Sequence, residues 1–374
     1  MNILISSDSF KSVASSEIVN DIIGDEIKKL QPDSEIVRVS VADGGEGTSK
    51  ALSISGGYEI HHLNTVDPLR RDINLSYYVN ETQKTVILDS ADTIGYQLLK
   101  SFERKPIITS SEGLGRALSI VFDRHEEMDV ICALGGTATI DGGKDAMSAL
   151  GFEFRDFEGN YLSRGGGSLP GLSSLSYPES FDYLASRKVK ILHDVLNPLM
   201  GKSGAAEIFG PQKGARTGEI EFFSLGLKNL ARIVSMTTGV DFVDKPGYGA
   251  AGGICILFNG ILGWDMYHGA PFILDWLGYD EYLKWADLVI TGEGCFDLQS
   301  LSGKITGEII KRAEKAGKKM IIISGRGSEA IHGFPVFNID PPEEQAPSSL
   351  SEFEEKLRNC IRRLSRELWT LRKS

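Results

Sequence analysis

Five segments of the sequence, three of which contain glycine, cluster carboxylate, hydroxyl, amide or lysine side chains. They are Asp8–Lys11, Asp43–Thr48, Gly135–Gly143, Asp194–Asn197 and Thr291–Lys304. Carboxylates hold a metal ion or accept a proton, lysines offset phosphate charge, and glycines let backbone amides approach a ligand. An ordinary polar loop explains any one segment alone, but the five together favour phosphoryl transfer.

The last of these segments has the most chemical groups in the shortest span. The apolar run 287–290 predicts a buried strand that ends at the turn around Gly292. Glu293 and Asp297 follow as candidate metal ligands, and Lys304 is a candidate phosphate contact. Since open α/β sheets bind ligands at the carboxyl ends of their strands, this turn is a natural place for a site.

The elements that must position these loops alternate between strands and helices. A strand at 2–6, a helix at 15–30 and a strand at 35–41 predict a parallel β-α-β unit. Short alternating strands at 58–63, 73–79 and 85–88 are too close in sequence for parallel pairing, so they predict an antiparallel meander.

The fold class predicted from this order is α/β with two domains. A Rossmann-like parallel-sheet domain comprises residues 1–57 and 286–374, and an α/β domain with a mixed sheet is inserted at 58–285. A length of 374 residues also favours two domains over one.

Composition excludes several classes of partner. The net charge of −11 argues against a general nucleic-acid binder and against attraction to anionic membranes. The longest apolar stretch, 254–264, is shorter than the roughly 20 residues that span a bilayer. The N-terminal residues resemble a first strand rather than a signal peptide, and the four cysteines form no C-x-x-C pair, so we expect a cytoplasmic protein.

No complete nucleotide fingerprint is present. The lysine of Ser302-Gly303-Lys304 lacks the first glycine of a G-x-x-x-x-G-K-[ST] loop, and no G-x-G-x-x-G opens the first helix. His193 stands at a strand end beside Asp194, where a structural, hydrogen-bonded histidine is a better interpretation than a catalytic base.

Seven motifs, in this order, resemble those of the bacterial type 1 glycerate kinases. They are DSFK (8–11), ADGGEGT (42–48), LGGTATIDGG (134–143), DVLNPL (194–199), FGPQKGA (209–215), GAAGG (249–253) and ITGEG with its following D, Q, L and GK (290–304). The resemblance covers residues 1 to about 325. It implies transfer of phosphate from ATP to D-glycerate with Mg²⁺, on the 2-hydroxyl, in a cleft between the two domains. A homodimer stays open as the assembly.

The resemblance and the chemistry together give the candidate residues. Asp194, Lys11 and Lys213 are predicted to be catalytic, with Asp194 as the base for the substrate hydroxyl, and Glu293 and Asp297 to bind the metal. Substrate or phosphate contacts are predicted for Asp8, Ser9, Asp43, Gly44, Gly45, Gly135, Gly136, Thr137, Thr139, Asp141, Asn197, Gly292 and Lys304.

The sequence also departs from the family pattern. Ile140, Leu196 and Cys295 stand where asparagine, aspartate and arginine are usual, and Glu112 stands where an aromatic residue is usual. Loss of an arginine weakens anion binding, and Arg326 at the neighbouring strand end is a hypothetical replacement. Two alternatives therefore stay open: a relative that acts on another small hydroxy acid, and one that binds a sugar acid or nucleotide without turnover. A nicotinamide-linked oxidoreductase is a more distant third.

Overall fold

The structure is a computed structural model that describes residues 1–10, 13–296, 300, 303–327, 330–331, 333–340, 347 and 349–364. Its contacts divide the chain into two compact units, Met1–Asp43 with Ala270–Ser374 and Gly44–Gly269. We call them unit one and unit two.

The strands are, in chain order, Asn2–Ile5 (β1), Glu35–Arg38 (β2), Glu59–Val66 (β3), Asp72–Asn80 (β4), Thr85–Asp89 (β5), Asp129–Leu134 (β6), Glu153–Arg155 (β7), Ser174–Ser176 (β8), Val189–His193 (β9), Asp265–His268 (β10), Leu288–Phe296 (β11), Lys319–Gly327 (β12), Ala330–Ile331 (β13) and Phe334–Asn338 (β14).

The α-helices are Ser16–Leu30 (α1), Thr48–Ser53 (α2), Ala91–Ile94 (α3), Glu112–Arg124 (α4), Lys144–Ala149 (α5), Phe181–Ser186 (α6), Ala205–Phe209 (α7), Thr217–Thr238 (α8), Cys255–Phe258 (α9), Gly269–Trp276 (α10), Tyr279–Trp285 (α11), Ile305–Lys315 (α12) and Leu350–Arg363 (α13). Short 3₁₀ segments lie at Tyr96–Leu98, Ser101–Glu103, Gly166–Gly171, Pro211–Lys213 and Ala250–Gly252. Among the described residues, no helix combines the length and hydropathy needed to cross a bilayer.

Unit one is built on a sheet whose described strands lie in the order β13-β14-β12-β11-β1-β2. All of the neighbouring pairs are parallel except β13 with β14 at the edge. Ile3 and Ile5 pack on one face against α1 and α13, and Leu4 packs on the other face against α10, α11 and α12. Because both faces are covered, consecutive positions must be apolar, which explains the unbroken apolar runs of these strands.

Unit two contains a sheet with the described order β10-β9-β6-β5-β4-β3. β5, β6, β9 and β10 are parallel, whereas β3, β4 and β5 form an antiparallel meander. The prediction of a parallel sheet and a second, mixed sheet is therefore confirmed. The antiparallel part follows from the short connections, which leave no room for a crossover helix.

The boundaries of the two compact units differ from the domain borders expected from the sequence. Residues 44–57 group with unit two because α2 packs against β4 and β5. In addition, Asp89 at the end of β5 accepts hydrogen bonds from the backbone amides of Gly47 and Ser49, at 3.0 and 2.8 Å.

Residues 270–285 group with unit one for the same kind of reason. Leu274, Tyr279 and Leu283 are buried in the apolar cluster that also contains Leu4 and Val289. The sequence border was placed at the start of an evident strand, but the two helices before that strand cover the sheet of unit one.

A buried carboxylate joins the first and last described helices of unit one. Glu26 of α1 accepts hydrogen bonds from Lys29 at 3.1 Å, from Arg358 at 3.1 Å and from Arg362 at 2.7 Å. Burial by itself would raise the pKa of Glu26, but the hydrogen bonds from these three cations lower it to about 2. The carboxylate is therefore ionised at neutral pH and holds α13 on α1.

We expect Glu26→Gln to lower the free energy of unfolding by about 2 kcal/mol at pH 7, because hydrogen bonds to a charged group are lost. The contribution should be complete above pH 4.5, the ordinary pKa of glutamate, and should disappear as the pH falls toward 2, where the folded carboxylate also gains its proton. Urea unfolding at several pH values measures this difference. Glu355→Gln, an exposed change on α13, is the matched control. An equal effect of the two changes would contradict the assignment.

Candidate active site

The cavity of unit one lies at the carboxyl ends of its parallel strands. It has a volume of about 300 Å³, within the range of small-ligand sites. Its polar and charged lining includes Asp8 after β1, Asp43 after β2, Glu293 of β11, Arg326 of β12 and Lys304 before α12. Three carboxylates and two cations from five separate segments thus face one cavity, as the strand-end rule predicts.

Asp8 is held in place through the backbone of Gly292. The amide of Asp8 donates to the Gly292 carbonyl at 2.8 Å, and the Thr306 hydroxyl donates to the same oxygen at 3.3 Å. A side chain at position 292 would place a Cβ atom 2.0 Å from the Ile323 carbonyl oxygen. Glycine is therefore needed for β11 and β12 to pack this closely, and Gly292 acts by positioning its neighbour.

Glu293 and Lys304 form the ion pair of this cavity. Lys304 Nζ lies 3.2 Å from Glu293 Oε2, and Glu293 is buried. Burial raises the pKa of Glu293, and the charge of Lys304 opposes that rise. Among the described residues, Glu293 Oε1 has no hydrogen-bond partner. A buried, unpartnered carboxylate oxygen beside a cavity is suited to bind a cation or a polar ligand.

Arg326 occupies the position that the sequence hypothesis required. It lies opposite Cys295 in the parallel register of β11 and β12, and both residues line the cavity. A guanidinium therefore stands on the strand next to Cys295, where the resemblance predicts the loss of an arginine. Its action on a bound anion stays a hypothesis.

Metal binding was predicted for Glu293 and Asp297, and it stays a prediction. In the described part of the chain, no group of three or more histidine, cysteine or acidic side chains could hold a metal ion. Mg²⁺ in kinases is commonly bound by one or two carboxylates together with substrate phosphates. Asp8, Asp43 and Glu293 supply carboxylates of that kind, whereas Asp297 and the catalytic candidate Lys11 lie outside the described residues.

Unit two has a smaller cavity, of about 50 Å³, at the carboxyl ends of β6 and β9. Its lining includes Gly135, Gly136, Thr137, Asp194 and Lys213, all of which were predicted as site residues. The side chain of Lys213 is buried, and its Nζ donates to Thr137 Oγ1 at 3.1 Å and to the Thr139 carbonyl at 2.8 Å.

The charge of Lys213 depends on its surroundings. Burial lowers the pKa of Lys213 to about 8, although the nearby carboxylates of Asp141 and Asp194 partly oppose this. The ammonium group is therefore still largely charged at pH 7, and it can pair with an anionic group that enters the cavity. The hydroxyl of Thr139 is also buried and has no partner among the described residues.

Asp141 holds the glycine-rich loop in place and does not line the cavity. Its Oδ2 accepts hydrogen bonds from the amide and the hydroxyl of Ser111, at 2.9 and 2.7 Å, and its Oδ1 accepts from the amide of Gly143 at 3.1 Å. Burial, followed by the charge of Asp145, raises the pKa of Asp141 to about 6. Asp141 thereby ties the glycine-rich loop to the start of α4.

Two glycines bring separate loops of unit two into backbone contact. A Cβ at Gly135 would lie 2.5 Å from Gly45 Cα and 3.0 Å from Asp194 Oδ2. Gly44 has a φ of +102°, and a Cβ there would lie 2.9 Å from Gly269 Cα. Any larger residue would push these loops apart, so glycine at 44 and 135 allows the loops to approach one another and allows the loop at 135 to approach Asp194.

Two neighbours of Asp194 have structural roles. A 2.9 Å hydrogen bond joins His193 Nδ1 to the Val195 carbonyl, and burial lowers the pKa of His193 to about 4. Asn197 was predicted to contact substrate, but its amide donates to the Ser203 carbonyl at 2.8 Å and it does not line the cavity.

Two further polar residues of this region were missed from the sequence. Gln212 lines the cavity beside Lys213. The Arg104 guanidinium lies over the Tyr96 ring, 5.0 Å from its centroid, and the Arg104 backbone packs against Gly214. Gln212 belongs to the FGPQKGA motif and could have been chosen, whereas the segment around Arg104 carries no local signal.

Comparison with known proteins agrees with this arrangement. A sequence model described as the glycerate kinase family matches residues 3–369. The chain belongs to the glycerate kinase family. The resemblance of the seven motifs is thus confirmed, and family membership identifies the chain as an enzyme that phosphorylates an alcohol group.

Individual members of the glycerate kinase family show the extent of the similarity. Glycerate 2-kinase of Escherichia coli K12 is 34% identical over 87% of this chain and 85% of its own length. Glycerate kinase of Bacillus subtilis 168 is 32% identical over 95% of both chains. The crystal structure of a proposed glycerate kinase 2 from Salmonella typhimurium LT2 superposes with a TM-score of 0.80, at 31% identity, and covers 100% of both chains.

Proposed function

We propose that this chain transfers the γ-phosphoryl group of ATP to the 2-hydroxyl of D-glycerate. The observation that carries the proposal is the buried Lys213 beside Asp194 in a cavity edged by the glycines at 135 and 136. A cation, a carboxylate and accessible backbone amides are the groups that bind an anionic acceptor and accept its proton. The placement of both substrates in one interdomain cleft stays a prediction of the family resemblance.

The cavity of unit one suits the nucleotide phosphates. Lys304 and Arg326 supply positive charge, and the carboxylates of Asp8, Asp43 and Glu293 suit the bound cation. Mg²⁺, when bound with ATP, neutralises charge that develops on the transferred phosphoryl group. If Lys304 moved from Glu293 to a phosphate group, the buried carboxylate would be able to bind the cation. The ion pair therefore keeps both side chains in place before the ligand binds.

On the acceptor side, Asp194 takes the proton of the glycerate hydroxyl as that oxygen forms its bond to phosphorus and the bond to ADP breaks. The Lys213 ammonium pairs with the glycerate carboxylate, and amides of the loop 135–137 add hydrogen bonds. Thr139 does not line the cavity itself, and its carbonyl acts indirectly by accepting a hydrogen bond from Lys213. Asp141 acts on catalysis indirectly, because it fixes the loop and supports the charge of Lys213.

The departures from the family pattern bear on the acceptor. Ile140 is fully buried in the apolar core of unit two, and Leu196 is half exposed. Neither lines the cavity around Lys213. This supports glycerate as the acceptor rather than another hydroxy acid. A cytoplasmic location is part of the proposal and agrees with four free cysteines.

Turnover with a panel of acceptors tests the proposal directly. Purified enzyme with ATP and Mg²⁺ should release ADP with D-glycerate and not without an acceptor, and ³¹P NMR of the product should show 2-phosphoglycerate. Turnover only with a different hydroxy acid would contradict the assigned acceptor. ATP binding without turnover on any acceptor would contradict kinase activity and leave a binding function.

We expect Asp194→Asn to lower kcat by ~10²–10⁴, because the amide cannot accept the hydroxyl proton. The free energy of unfolding should change little, since the shape of the side chain is retained. Steady-state kinetics and thermal unfolding measure the two effects. Asp182→Asn, an exposed change on α6, is the control and should keep full activity. Full turnover by Asp194→Asn would exclude Asp194 as the base.

The pH dependence of kcat/KM should report the charge of Lys213. Below about pH 8 the ammonium is protonated, and above it the charge is lost, so kcat/KM should fall as the pH rises through about 8. Lys213→Gln should lower kcat/KM by about 10- to 100-fold at pH 7, the equivalent of one charge-assisted hydrogen bond, and should remove this fall. A wild-type profile that stays flat from pH 7 to 9.5 would contradict the role of Lys213.

A further inference from the structure

Three arginines of unit two converge on one buried carboxylate. Glu112, the first residue of α4, has a side chain that is 3% exposed. Arg70 Nε and Arg164 Nε lie 3.1 and 2.8 Å from its Oε2, and a terminal nitrogen of Arg116 pairs with its Oε1. The three arginine side chains are 53%, 38% and 45% exposed, so the cluster is buried at its acidic centre and open at its basic rim.

This cluster carries more positive charge than its carboxylate can balance. Three guanidinium groups against one carboxylate leave a net charge of about +2. The neighbouring acids Asp67 and Glu103 pair with Arg71 rather than with the cluster, although these three residues together carry a charge of about −1. In the part of the chain that the structure describes, the terminal nitrogens of Arg70 and Arg164 have no hydrogen-bond partner. Several N–H donors therefore remain for a ligand.

The fold holds the arginines together from three separate places. Arg70 lies in the turn between β3 and β4 at a φ of +66°, a backbone conformation that most residues avoid. Asp67 braces this turn, since its carboxylate accepts from the amides of Leu69 and Arg71. Arg164 precedes Gly165, whose amide donates to the buried Asp145 at 2.7 Å. These constraints keep like charges close together in the absence of a ligand.

Glu26 of unit one also has three cations around it, but one of them, Arg358, is shared with Glu354, whereas in the described structure the arginines around Glu112 pair with no second carboxylate. Glu112 holds three guanidinium groups whose side chains are each more than a third exposed. The excess charge of about +2 matches a phosphate dianion, and guanidinium forks fit phosphate oxygens in pairs. None of these four residues lines the cavities around Lys213 or Lys304.

We propose that Arg70, Arg116 and Arg164, organised by Glu112, bind a phosphate group of a small molecule on the surface of unit two. The ligand is inorganic phosphate or a phosphate monoester. The proposal does not depend on the substrate of the enzyme. Glu112 directly follows Ser111, which hydrogen-bonds Asp141 of the glycine-rich loop.

Thermal unfolding in phosphate and in chloride of equal ionic strength tests the proposal. Phosphate should raise the unfolding temperature of the wild type, and the rise should be absent in the double variant Arg116→Gln, Arg164→Gln. That variant should still fold, because Arg70 remains to pair with Glu112. Arg155→Gln, which removes a surface arginine paired with Glu153, is the matched control and should keep the rise.

Two results would overturn the proposal. One is a wild type with no phosphate-specific rise. The other is an equal rise in the double variant, which would place the phosphate elsewhere, for example at Lys213 or Lys304. Isothermal titration with inorganic phosphate gives a second measure, in which Arg164→Gln alone should raise Kd at least ~10-fold. Titration with methyl phosphate separates the two sources: equal affinity indicates a phosphate monoester, and no binding indicates free phosphate.

Discussion

A buried ammonium group keeps its charge only if oxygen atoms replace the water that it has lost, and this constraint organises the candidate site of unit two. Lys213 meets it through Thr137 and the Thr139 carbonyl, with Asp141 and Asp194 nearby. The loop that presents these oxygens is held in turn by Asp141. A substrate anion would complete the set of partners, so the site is prepared for a ligand by the burial of its own lysine.

Unit one also has a buried charged group beside its cavity, but this group is an anion rather than a cation. Its buried group is the carboxylate of Glu293, which shares one oxygen with Lys304 and leaves the other without a partner in the described structure. Because parallel strands end at one edge of the sheet, Asp8 and Arg326 join the same cavity. Each unit thus has a buried charged group, Lys213 or Glu293, beside the cavity at the carboxyl end of its sheet.

Two positions at which the sequence was expected to depart from the family pattern have different surroundings in the two units. Cys295 lines the cavity of unit one, and the parallel register places Arg326 directly beside it. Glu112 adds a buried negative charge at the start of α4, and three arginines gather around it. A single substitution thus acts through the charges that surround it, since an ion without partners is costly to bury.

The sequence by itself determined the fold class, the antiparallel meander, the family and most of the polar cavity residues, because strand periods and glycine-rich turns are local signals. Tertiary structure decided what local patterns do not contain. Asp141 and Asn197 sit in loops that look functional, yet their polar atoms bond other backbone groups, and Arg326 meets Cys295 only through strand register. The borders at 43/44 and 269/270 likewise follow from which sheet the adjoining helices cover, a long-range packing choice that no short window of sequence records.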